Sequence, residues 1–176
     1  MGDTLITIVA IFLAAILMFI FPLMSISDRN DDVAQLSVQT KTVEFVDNIR
    51  STGKITQDNY DAFIQTLAAT GNSYDVEMEV KVLDENPGKK TAQTSTDKIG
   101  ENIYYSEYTS QILEKMNASS SKSVKLKEGD LVSVSVKNTN TTISQMLKNF
   151  FYSISGNDTY NITASHSGVV ITNGSE

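Results

Sequence analysis

Residues 1–32 read MGDTLITIVAIFLAAILMFIFPLMSISDRNDD, and the interpretation of this stretch decides the rest. From Leu5 to Met24 only Thr7 and Pro22 are not plainly apolar. As an α-helix rising about 1.5 Å per residue, the run spans roughly 30 Å, the thickness of a bilayer's hydrocarbon core. A cleaved secretory signal would carry a basic leader, a shorter apolar segment and a small-x-small site. Met1–Thr4 holds no Lys or Arg, and Phe21-Pro22-Leu23-Met24 is a poor cleavage site. A core helix of a soluble domain is rarely apolar on every side for so long. The segment over about 4–24 therefore reads as membrane-spanning.

The apolar run ends at Asp28-Arg29-Asn30-Asp31-Asp32, which reads as a solvated acidic collar rather than a cation loop. It lacks the alternating carboxylates and glycine of an EF-hand. Beyond it, Val33, Leu36, Val43, Val46 and Ile49 recur at helical spacing, and Gly53 suits a C-cap. The simplest account is one helix over 1–53, greasy in its first half and amphipathic over about 28–53. Pro22 cannot donate to the carbonyl of Met18, so the rod is expected to bend or open locally there.

The remaining composition narrows the function. The chain has 176 residues, enough for one modest domain plus this appendage. A net charge of −7 argues against nucleic acid as a partner, since phosphates require a basic face. The short run Lys122, Lys125 and Lys127 does not alter that. The absence of cysteine excludes disulfides, thiolate catalysis and Cys-ligated metal. The one histidine, His166, sits between serines with no nucleophile elbow, phosphate loop or metal-ligand spacing around it. No catalytic residue, metal site or cofactor is expected, and an edge-strand position suits His166.

A head over 54–176 follows. Thr56 is a candidate N-cap for a helix with Tyr60, Phe63, Ile64 and Leu67 as its apolar stripe, ended by Gly71. Residues 74–83, YDVEMEVKVL, alternate as a half-buried strand with Val76, Met78 and Val80 inward. Asn86-Pro87-Gly88 marks a turn, and a polar stretch runs to 102. Tyr104, Tyr105 and Tyr108 lead into a helix reaching about Met116, and residues 117–127 read as a loop. LVSVSVKN at 131–138 alternates as a second strand. Residues 141–154 read as a helix with Ile143, Met146, Leu147, Phe150, Phe151 and Ile154 on its apolar side. Gly156-Asn157-Asp158 turns the chain into a last strand or hairpin. The expected class is α+β, a small antiparallel sheet with the long N-terminal helix packed on it.

Orientation is set by polar character, since the usual Lys/Arg bias is missing on both sides of the span. The acidic flank and the Asn-x-Ser/Thr triplets at Asn117, Asn140, Asn157, Asn161 and Asn173 suit a head outside the cell, where those asparagines are candidate glycosylation sites. A region this rich in Asn, Ser and Thr also generates such triplets by chance.

The stretch Gly2-Asp3-Thr4-Leu5-Ile6, Pro22 within the apolar helix, and its amphipathic continuation into a small α+β head resemble type IV pilins, including the Tad-type pilin-like branch. Residues 45–90 and the closing ITASHSGVVITNG resemble proteins of Firmicutes pilus loci. The resemblance implies a subunit held in the membrane by its helix and drawn by a secretion ATPase and platform into a homopolymeric surface filament. It implies that Asp3, Leu5, Ile8, Phe12, Leu13, Ile16, Phe19 and Pro22 serve anchoring and assembly, and that Gly2 is a candidate processing position. Asp3 has two readings: a carboxylate pairing with a neighbour's amine, or an N-cap for the helix. The alternative from another class is a stand-alone single-pass protein whose head binds a ligand outside the cell.

Overall fold

The computed structural model describes residues 2–83, 104–141, 145, 146, 149 and 161–175. Helix α1, Gly2–Thr52, runs for 51 residues with Pro22 inside it. At about 1.5 Å per residue it is roughly 75 Å long. Its first half is the one stretch among the described residues long and apolar enough to cross a membrane, and none of it is buried in the head. Its second half is a core helix. The turn after it is made by Gly53, at φ 66°, whose N–H donates to the Ile49 carbonyl at 2.8 Å.

Two short strands, β1 (Lys54–Thr56) and β4 (Ser123–Lys125), pair antiparallel beside this turn. Helix α2, Gln57–Ala68, starts at the N-cap Thr56, whose hydroxyl accepts from the Asn59 N–H. The main sheet holds β2 (Tyr74–Leu83), β3 (Tyr104–Tyr108), β5 (Leu131–Asn138) and β6 (Thr163–Val169) in the order β3-β2-β5-β6, each pair antiparallel. Helix α3, Thr109–Ala118, follows β3 directly, and the Tyr108 N–H donates to Gln111 Oε1 at 3.0 Å. The described head is thus α+β.

Alternation builds the core. Val76, Met78 and Val80 from β2 and Val132, Val134 and Val136 from β5 point to one face and are buried. Over them lie Val38, Phe45, Val46 and Ile49 of α1 and Ile112 and Met116 of α3. Phe45 stacks on Phe63 of α2 with ring centroids 4.4 Å apart. The opposite face carries Asp75, Glu77, Ser135, Lys137 and Ser165, all exposed.

Several expectations are corrected here. On α1 the inward stripe is Ala34, Val38, Thr42, Phe45, Val46 and Ile49, whereas Val33 and Leu36 are 64% and 67% exposed. Thr42 enters the core because its hydroxyl donates to the Val38 carbonyl at 2.8 Å, leaving only its methyl to pack. The acidic collar is not uniformly solvated, because Asp31 is buried at 3% exposure and both it and Asp28 are engaged by the fold. Residues 117–127 are not all loop, since β4 lies within them. The turn at 86–88, the polar stretch to 102, the turn at 156–158 and most of the helix expected over 141–154 lie outside the described residues. Of that helix, Gln145 is fully buried and Met146 is 55% exposed, the reverse of the expected apolar face.

Gly53 is the tightest joint. A side chain there would collide with the Thr172 carbonyl and the backbone of Gly174, and its φ disfavours any L residue. Its carbonyl accepts the Leu126 N–H at 2.7 Å, tying the end of α1 to the segment after β4. Replacing Gly53→Ala should therefore cost more than about 1 kcal/mol of head stability in a denaturant titration. A second expectation concerns Tyr60, whose phenol is pushed above 10.0 by burial and then by the charges of Asp61 and Asp75. Because the folded value is the raised one, its contribution is intact below pH 10.0 and is lost as pH climbs through the folded value. Tyr60→Phe should accordingly lose less stability than the parent chain above pH 10.0, read as a flatter alkaline unfolding curve.

Candidate assembly surface

The residues singled out in the N-terminal half all fall on the free part of α1. Leu5, Ile8, Phe12, Ile16 and Phe19 follow one another at steps of three and four, so they share one helix face. They are 66%, 57%, 70%, 43% and 65% exposed, with Leu13 beside them at 58%. No described part of the head comes over to cover them. This is a long surface of large apolar side chains, of the kind that marks a membrane or interaction surface.

Asp3 does not occupy a cap. The helix begins at Gly2, so Asp3 lies in the first turn, where a carboxylate favours the positive end of the helix dipole. Its carbonyl accepts from the Thr7 hydroxyl at 2.8 Å. Gly2 has open space around its α-carbon. Pro22 is exposed within a helix that continues on both sides of it.

What makes this half more than a tether is how the other half is held. Arg50 sends Nε to the Val169 carbonyl at 2.9 Å and Nη1 to Asp47 Oδ1 at 2.7 Å. Gly168 lacks a side chain where the Arg50 guanidinium lies across β6, and a β-carbon there would strike that group. Further toward the apolar half, Gln35 grips the other end of β6. Its Nε2 donates to the Thr163 carbonyl at 2.7 Å, and its Oε1 accepts the Thr163 N–H at 3.1 Å. An amide side chain thus makes the bonds of a neighbouring strand on the outer edge of β6, where the described residues place no strand. His166 sits between these two grips, Nε2 buried and 3.7 Å from Asp47 Oδ1. Sequence reasoning missed Gln35 and Arg50, and only the separation of Gln35 from Thr163 by 128 positions explains why.

The candidate glycosylation positions are unequal. Asn117 and Asn161 are exposed. Asn140 is committed to the fold, accepting the Ser73 N–H at 2.7 Å and donating to Asn72 Oδ1 at 3.1 Å. Asn173 accepts the Glu128 N–H at 2.8 Å, and Asn157 lies outside the described residues. Lys122, Lys125 and Lys127 are exposed around β4.

Comparison with protein-family models, with curated proteins and with solved structures found no match to this chain.

The two grips on β6 give a direct test. Gln35→Ala leaves the Thr163 N–H and carbonyl without their partner, at a cost of about 1 kcal/mol. Amide exchange at Thr163 should rise sharply, while that of Val134 in the sheet centre should rise only as far as the loss of global stability allows.

Proposed function

We propose that the chain is a pilin-like structural subunit that assembles through its N-terminal helix into a surface filament of the type IV or Tad-like kind, or into a related secretion pseudopilus. The observation that carries this reading is the absence of a joint between anchor and head. A single helix supplies both the exposed apolar rod and the central core helix of the head, so the orientation of one dictates that of the other. A tether needs no such rigidity, whereas a polymer built on packed rods requires every head to stand at the same angle. In the membrane the rod is solvated by lipid. On assembly the stripe from Leu5 to Phe19 packs against the same stripe of neighbouring copies, exchanging lipid contacts for side-chain packing without passing through water. The head would lie outside the cell, and an ATPase-driven platform would supply the work of extraction. Asp3, at the rod's tip, is the group available to pair with a neighbour's amine within the apolar interior.

A second reading, a stand-alone single-pass module whose head binds a ligand, is favoured by an open groove beside β2, taken up below.

Because the chain has no cysteine, single-cysteine variants report on assembly without background. Cysteines placed one at a time from Leu5 to Phe19 should cross-link between copies with helical periodicity, strongest on the Leu5–Ile8–Phe12–Ile16 face. Ile16→Trp overpacks that face at about 1–3 kcal/mol per contact and should abolish fibres seen by electron microscopy while leaving the membrane-bound level unchanged. Normal fibres in that variant, or cross-linking without periodicity, would overturn the reading.

A further inference from the structure

The two outer edges of the sheet are treated differently. The edge of β6 is covered at both ends by α1. Among the described residues the edge of β2 is covered by a strand only over its second half. β3 pairs with Glu79–Leu83 and then leaves, because Tyr108 is followed at once by α3. At Met78 the Thr109 hydroxyl stands in for a strand, accepting the Met78 N–H at 2.7 Å and facing its carbonyl at 3.3 Å. Backbone groups of an antiparallel strand alternate between its two neighbours. The Met78 groups point to the β3 side, so those of Val76 and Tyr74 do as well, while Asp75 and Glu77 bond to β5. Two N–H groups and two carbonyls of β2 therefore face outward beyond Thr109, with no partner strand among the described residues.

They open into a groove of about 690 Å³ between β2 and the start of α3. Its floor and inner wall are Val76, Met78, Thr109 and Leu113, and its outer rim carries Asp75, Glu77 and Glu79. No cation lines it. Lys137 lies across from Asp75 on the β5 side and Lys81 is 3.9 Å from Glu79, while the β5 residue across from Glu77 is the uncharged Ser135. Acids on a free edge repel a second copy of the same edge, which is how such strands avoid pairing with themselves. The same charges select a complementary strand.

We infer that this groove is a β-strand addition site for an extended peptide carrying Lys or Arg at alternate positions. An added strand would bond to Tyr74 and Val76 through its backbone. One set of its side chains would fall beside Asp75 and Glu77, at the spacing at which opposite charges pair across strands. The other set would enter the apolar side of the groove near Leu113. Thr109 ends the pairing, so the site reads a short segment. The inference stands whether or not the chain polymerises.

The test uses the full chain in detergent micelles and the capped hexapeptide Val-Lys-Val-Lys-Val-Lys, followed by NMR. Binding should slow amide exchange at Tyr74 and Val76 and leave Asp75 and Glu77 as they were. Methylating alternate peptide nitrogens of the hexapeptide should abolish binding while its charge is unchanged. The double change Asp75→Asn with Glu77→Gln, which preserves shape, should weaken binding about tenfold. Displacement by spermine with no change at the Tyr74 and Val76 amides would mean that charge alone attracts the peptide, and would overturn the inference. So would equal binding of the methylated peptide, or no binding at all.

Discussion

Helix α1 joins two unlike surfaces on one backbone, an apolar half long enough to cross a membrane and a half that is buried in the head. Apart from its ends and the carbonyl facing Pro22, its peptide groups are bonded within the helix, which is the condition for entering hydrocarbon. Its side chains change role partway along, from a surface apolar all round to a stripe that completes the head. Because the same hydrogen-bonded rod continues across that change, the head cannot swivel on the anchor without breaking a helix. Val38, Phe45, Val46 and Ile49 are buried at the centre of the head, so withdrawing α1 would leave the sheet with an open apolar face. Anchor and head are mechanically one body.

The details around α1 serve this arrangement. Gly53 lets the chain reverse against its own C-terminal segment, where Thr172 and Gly174 press on the turn. Arg50 lies flat over Gly168 because β6 offers no side chain there. Gln35 supplies the hydrogen bonds of a missing strand. These contacts are spaced along the helix, so they set its angle across the sheet rather than merely its proximity. For a polymer of packed rods, that angle fixes where each head emerges; for a tethered receptor it would fix which face of the sheet is presented.

The sheet's faces and edges divide the remaining surface by chemistry. Among the described residues one face is covered by α1 and α3, with α2 packed on α1, and the other is a field of serine, lysine and carboxylate side chains open to solvent. Of the edges, that of β6 is secured by the helix and that of β2 is left partly open under a row of acids. An open edge with apolar flanks would invite aggregation, and acids at Asp75 and Glu77 remove that hazard while leaving the backbone groups available. The exposed apolar face of α1 and the groove beside β2 are therefore separate, built from different residues and different forces.

Much of this was legible in residue order. The length and apolar character of α1, its end at Gly53, the Thr56 cap and the alternation of β2 and β5 all rest on periodicity or local caps, which neighbours in sequence determine. Long-range partners decided the rest. Residues 123–125 carry no strand pattern of their own and become β4 only because Lys54–Thr56 lies alongside. Val33 and Leu36 look inward by spacing, yet Ala34 and Val38 face the sheet, since the helix's rotation is set by the distant contacts of Gln35 and Arg50. The burial of Asp31 and Gln145 likewise follows from what surrounds them. Sequence alone determined which segments could be helix or strand and that one must avoid water; only the tertiary structure decided which face of each turned inward, because that choice is made by residues far away in the chain.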